Sequence, residues 1–202
     1  PGRFRVITDN DYSGDPDGLV QLAHHLLSPS VDIRAIIASH LREGDEWDQT
    51  KDSVEAAVVA VNELAEVMKF KNLPPVLRGS KKAITDINQP ADSEAARFIV
   101  QEANRTDVTT PLYVVCGGSL TSIASAWLMD NSISKKLTVV WIGGNEYPGH
   151  QDVPPNAMPI EYNLLEDVKA GQIVFNDSDL NIWQVPRNMY RDCNVSLAEL
   201  IV

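Results

Sequence analysis

The sequence predicts an α/β domain, a mostly parallel sheet with helices on both faces. Short apolar runs alternate with amphipathic segments along all 202 residues. The runs read as continuously apolar, as strands buried on both faces should. Polar and proline-rich stretches fall where strands would end, which is where open α/β sheets bind ligands.

The elements follow in order. Phe4 to Thr8 reads as a buried strand and Asp9 to Asp15 as a polar loop. A helix follows from about Pro16 to Leu27, then a strand from Val31 to Ala38. Val54, Ala57, Val58, Val61, Leu64, Ala65 and Met68 recur at helical spacing and predict a long amphipathic helix. Pro74 to Leu77 reads as a short strand, Ala95 to Ala103 as a helix and Leu112 to Cys116 as a strand. Leu120, Ile123, Ala124, Trp127 and Leu128 mark the next helix, and Leu137 to Ile142 is a strand ending in Gly143-Gly144. Asn145 to Pro159 is the longest irregular stretch, of the kind that often carries function. Val168 to Phe175 reads as helical, and Ile182 to Val185 closes the pattern. No repeat or linker divides the chain, so residues 1–202 read as one domain.

Composition narrows the partners. The net charge of -11 repels phosphate backbones and argues against nucleic acid. No apolar window is long enough to predict a membrane helix. Cys116 and Cys193 lie far apart and suggest neither a zinc site nor a disulfide framework. A reducing, cytoplasmic setting is expected, with a processed secreted form as the alternative because the chain begins at Pro1 rather than Met.

The segment from Thr8 to Gly18 is the most informative. Asp9, Asp11, Asp15 and Asp17 place four carboxylates in nine residues, directly after a strand and at the opening of a helix. Carboxylates this close raise one another's pKa, and a hard cation relieves them. Calcium, with its preference for several oxygen ligands, suits the group better than zinc. A plainer account makes Asp15 a helix N-cap, Pro16 the first helical residue and Asp17 a partner of the helix dipole. It leaves Asp9 and Asp11 unexplained.

The cluster resembles the signature of nucleoside hydrolases, Asp-x-Asp-x-x-x-Asp-Asp between a strand and a helix. Here Pro16 splits the last pair, a Gly-Asp-Pro-Asp form similar to a divergent branch of that superfamily. Ser39-His40 stands where the family has Gly-Asn, and Tyr113 to Thr121 resembles its strand-to-Gly-Gly-Leu-Thr-Asn turn. Val139 to Gly144 resembles its Met-Gly-Gly strand end, and Asn156 to Asn163 its Asn…Glu-Phe-Asn ribose motif.

The resemblance implies a nucleoside hydrolase-like fold with a Rossmann-like core. It implies a glycosidase that cleaves the N-glycosidic bond of ribonucleosides in purine or pyrimidine salvage, through a calcium-bound water activated by an aspartate. Asp11 would be general base and calcium ligand, Asp17 the bidentate ligand, and Asp15 a ligand or a partner of a ribose hydroxyl. Cys116 would offer its backbone carbonyl to the metal. His40, Asn156, Glu161 and Asn163 would hold the sugar. The family commonly forms dimers or tetramers, so a homo-oligomer is expected. The family's last metal-binding Asp has no counterpart, since Asp192 comes too early, so the chain is expected to lack the family's C-terminal part.

Plainer accounts stand beside these. Cys116 suits a buried strand, His40 a hydrogen-bonded loop, and Glu161 and Asn163 an ordinary loop. His24 and His25 belong to the first helix. His150 and Trp47 could approach a ligand or simply pack. Two other functions compete: a noncatalytic nucleoside- or sugar-binding member, and a phosphotransferase of the haloacid dehalogenase type using magnesium. The second lacks a convincing later lysine and acidic pair, and leaves Glu161-Tyr162-Asn163 unexplained.

Overall fold

A computed structural model describes residues 3–194. Six strands run parallel in the order β3-β2-β1-β4-β5-β6. They are β1 (Phe4–Asn10), β2 (Val31–Ala38), β3 (Val76–Arg78), β4 (Leu112–Cys116), β5 (Thr138–Ile142) and β6 (Asn181–Val185). The helices are α1 (Asp17–Leu27), α2 (Ser53–Val67), α3 (Glu94–Ala103), α4 (Thr121–Met129), α5 (Tyr162–Glu166), α6 (Val168–Gln172) and α7 (Arg187–Tyr190). The chain winds outward from β1 in both directions, so the order reverses between β1 and β4. That reversal opens a crevice at the strand ends.

Right-handed crossovers place the helices on opposite faces of the two halves. On one face Ile36 and Ala38 of β2 pack against Leu22 of α1 and Val54, Ala57 and Val61 of α2. On the other, Ile7, Val114 and Val139 pack against Ile99 of α3, Ile123 and Ala124 of α4, and Ala170 and Ile173. The caps follow local chemistry. Asp52 accepts from the Glu55 N–H at the start of α2, and Ser93 from the Ala96 N–H at the start of α3.

The expected architecture therefore holds, with shifts at the edges. β1 continues through Asp9 and Asn10, which pair with Ile37 and Ala38 of β2 rather than forming a loop. The expected helix over Val168–Phe175 divides into α6 and a π-helical turn, Ile173–Asp177. A 3₁₀ turn at Asn131–Lys135, α5 and α7 are additional. Among the described residues no helix is long and apolar enough to cross a membrane.

Candidate active site

The strand ends at the β1–β4 reversal carry the aspartates. Asp9 is the last but one residue of β1 and is buried. Its Oδ1 accepts the Ser39 hydroxyl, and its Oδ2 has no partner. Burial pushes its carboxyl up to about 6, against the pull of the Ser39 hydroxyl. Asp11 follows, only 4% exposed, with its backbone N–H donated to the Asn10 Oδ1 at 2.9 Å. Two glycines admit its side chain. A Cβ at Gly118 would lie 3.1 Å from the Asp11 Cγ, and one at Gly14 would lie 3.5 Å from it and 3.0 Å from the Asp11 carbonyl oxygen.

Electrostatically this corner is frustrated. Burial raises the Asp11 carboxyl well above the usual range, and Asp17, Glu166 and Asp15 raise it further. Loss of water around the Asp17 carboxyl, with Asp15 beside it, pushes Asp17 up to about 7. The capping account fails for Asp15: Pro16 takes the cap position of α1, with no side-chain cap bond, and Asp17 begins the helix.

The other expected residues divide. Cys116 ends β4 opposite Asp9, with its thiol in the core, where burial raises its pKa well above the usual value. His40 is buried and its Nε2 has no partner; burial lowers its pKa, which favours the neutral ring. Asn163 donates its amide to the Ile142 carbonyl at 2.8 Å. Glu161 is buried, and its carboxylate meets three donors: Gly144 N–H at 2.6 Å, Leu164 N–H at 3.1 Å and the Tyr190 hydroxyl at 3.0 Å. It caps α5 and fastens the Gly143–Gly144 turn. Asn156 is exposed at φ 63°, and its side chain bonds to no described residue. The structure thus gathers Asp11, Asp15 and Asp17, and holds Glu161 and Asn163 through protein groups.

Four residues of the site were not anticipated. Glu166, at the end of α5, is buried near Asp11 and pushed up to about 7 by that burial. Arg42 pairs with Glu166, and with Asp45 at 2.7 Å. Its guanidinium lies 4.8 Å from the centre of the Tyr162 ring, a cation–π contact. Arg42 thus ties the segment after β2 to α5. The signal was the i, i+4 spacing of Tyr162 and Glu166, visible only once α5 is known to be helical.

Two cavities lie away from the aspartates. One of about 440 Å³ opens behind the glycine turn, between Trp141, Tyr147, Phe175 and Gln184. Another, of about 370 Å³, lies beside Arg5 and Arg105.

A family model described as inosine-uridine preferring nucleoside hydrolase matches residues 6–200. The chain belongs to that family. Solved structures agree on the fold. An inosine-uridine preferring nucleoside hydrolase from Bacillus anthracis superposes with a TM-score of 0.70 at 16% identity, over 96% of this chain and 68% of that one. A plant nucleoside hydrolase superposes at 0.67 and 22% identity, over 92% of this chain and 60% of its own. A purine-preferring ribonucleoside hydrolase from Gardnerella vaginalis superposes at 0.65 and 19% identity, over 90% and 60%. The chain thus spans 60–68% of the length of these family structures. No curated protein matches it in sequence.

Proposed function

We propose that this protein hydrolyses the N-glycosidic bond of ribonucleosides, releasing ribose and a free base, with Asp11 as general base. One observation carries the reading. Asp11 is a buried carboxylate at the mouth of β1, surrounded by other carboxylates, and no other described residue donates a hydrogen bond to it. A buried charge without a partner is costly, so its natural complement is a ligand.

The donor set suits calcium in its chemistry. Asp11, Asp15 and Asp17 offer hard oxygens, the Cys116 carbonyl lies at the adjoining strand end, and the two glycines leave room around Asp11. Among the described residues no three acidic, histidine or cysteine side chains converge as a ready cage. Backbone, solvent and substrate oxygens would have to complete the shell. When bound, calcium supplies the positive charge that steadies a sugar diol and acidifies water. Asp11 would take a proton from the attacking water, and Asp15 and the neutral His40 would meet ribose hydroxyls. Positive character growing on the sugar in the transition state is favoured by the surrounding carboxylates.

A second reading, a nucleoside- or ribose-binding member without turnover, draws on the Asp15–Asp17 pair split by Pro16 and on His40, where the family has Asn. Incubation with calcium and a panel of ribonucleosides, followed by assay of free ribose, separates the two. Ribose release that disappears in Asp11→Asn is the expected result. Calcium-dependent binding without release would replace the first reading with the second. Release undiminished in Asp11→Asn, or neither release nor binding, would overturn the assignment.

A further inference from the structure

The two ends of β1 carry opposite charge. Asp9 and Asp11 stand at one end and Arg5 near the other, about 20 Å away along an extended strand. Arg5 is buried and lines a cavity of about 370 Å³, together with Arg105, Lys136, Thr106, Thr109 and Thr110. Among the described residues no carboxylate lines it. That is unexpected in a chain of net charge -11. The walls come from three separate segments: β1, the loop after α3, and the residue that ends the 3₁₀ turn before β5.

Part of this basic group is structural. Arg5 donates its Nε to the Thr110 carbonyl at 3.0 Å, and its Nη1 to the Glu102 carbonyl at 3.0 Å and the Glu102 Oε1 at 2.8 Å. These bonds tie β1 to the last turn of α3 and pair the buried Glu102. The same carboxylate oxygen also meets Arg34 at 3.1 Å and Arg105 at 3.3 Å. Asp32 and Asp107, on the solvent side, balance these two arginines. Lys136 has no such balance. Its Nζ donates to the Asn104 side-chain carbonyl and the Ser132 hydroxyl, and it forms no ion pair with a described residue. A positive charge is therefore left over. Donors are left over as well: Arg5 Nη2 and the hydroxyls of Thr106, Thr109 and Thr110 bond to no described residue.

We propose that this cavity binds a phosphate group, either free or as the monoester of a small metabolite. A buried guanidinium with an unused Nη2, an ammonium without a counter-charge and three unused hydroxyls line one space. A phosphate monoester offers three acceptor oxygens and close to two negative charges, whereas a planar carboxylate offers two oxygens and one charge. Arginine and lysine are the side chains that commonly hold it. The volume lies within the usual span of small-molecule sites, about 300–1,000 Å³. A nucleic acid fits poorly, because the rest of the chain repels a phosphate backbone. The site lies at the opposite edge of the sheet from the aspartates, so it does not rest on the hydrolytic reading.

The test titrates the protein, freed of calcium with EDTA, with inorganic phosphate, glycerol 3-phosphate and acetate, read by calorimetry and amide NMR. Saturable binding of phosphate or glycerol 3-phosphate is expected, with shifts centred on Thr106–Thr110 and no comparable binding of acetate. Tighter binding of glycerol 3-phosphate assigns the ligand as a monoester, and binding at least as tight of inorganic phosphate assigns it as the free ion. Lys136→Glu, an exposed change, should weaken binding about tenfold or more while circular dichroism shows an intact fold. Thr109→Val, also exposed, should weaken it less. Absence of saturation, equal binding of acetate, shifts centred on the aspartates, or undiminished binding in Lys136→Glu would each overturn the proposal. Calcium is absent throughout, so the outcome is separate from that of ribose release.

Discussion

Two buried carboxylates, one at each end of the same row of strand ends, behave in opposite ways. Glu161, beside β5, spends its oxygens on two backbone N–H groups and the Tyr190 hydroxyl. Asp11, beyond β1, receives no such donors and faces Asp15, Asp17 and Glu166. The first carboxylate stabilises a turn. The second destabilises its surroundings unless something positive arrives. A filled hydrogen-bond shell marks structure, and an empty one marks a place for a ligand.

The contrast can be broken most sharply at Asp11. Asp11→Asn should lower ribose release by about 10²–10⁴-fold, the usual size of a lost general base. It should also raise the melting temperature without calcium, because a buried repelled charge is removed. Unchanged kinetics together with a lowered melting point would make the two carboxylates alike. Glu161→Ala should act the other way. It strands the Gly144 and Leu164 donors, costing about 3 kcal/mol, or roughly 6–12 °C in melting temperature for a domain of this size.

A pH titration of stability reads the same contrast more gently. Asp17 and Glu166 are raised to about 7, and Asp9 to about 6, by burial. Their unfolded values are lower, 3.8 for Asp and 4.5 for Glu. Below those values both states are protonated. As pH rises through that window towards 7 the unfolded chain has released protons that the folded chain still holds, so stability falls. Urea midpoints measured across this range should show the decline, and calcium should flatten it. The smallest effect is expected at Cys116. If only its carbonyl serves the site, Cys116→Ala should leave ribose release within about twofold and cost roughly 1 kcal/mol of packing in a urea melt.

Much of this was legible in the sequence for physical reasons. β2 and β4 match the expected ranges Val31–Ala38 and Leu112–Cys116 to the residue, because β-branched and other apolar side chains cluster there between polar segments. The aspartate group was legible because carboxylates rarely crowd without cause. α5 was hidden: five residues after a proline-rich stretch are too few to show a helical period, and Glu166 was hidden with it. The role of Glu161 in fastening the glycine turn depends on a contact 17 residues back along the chain, which no local pattern encodes.

Trp141 gives the acidic corner a built-in lamp. Its indole N–H donates to the Gly118 carbonyl at 3.0 Å, and Gly118 abuts the Asp11 side chain. Trp141 is also the tryptophan at only 1% exposure, whereas Trp47 and Trp183 are more than half exposed. With Trp127, partly buried beside Ser134, replaced by Phe and external quencher silencing the outer rings, a colour shift in the remaining emission on adding calcium would report events beside Asp11 without turnover.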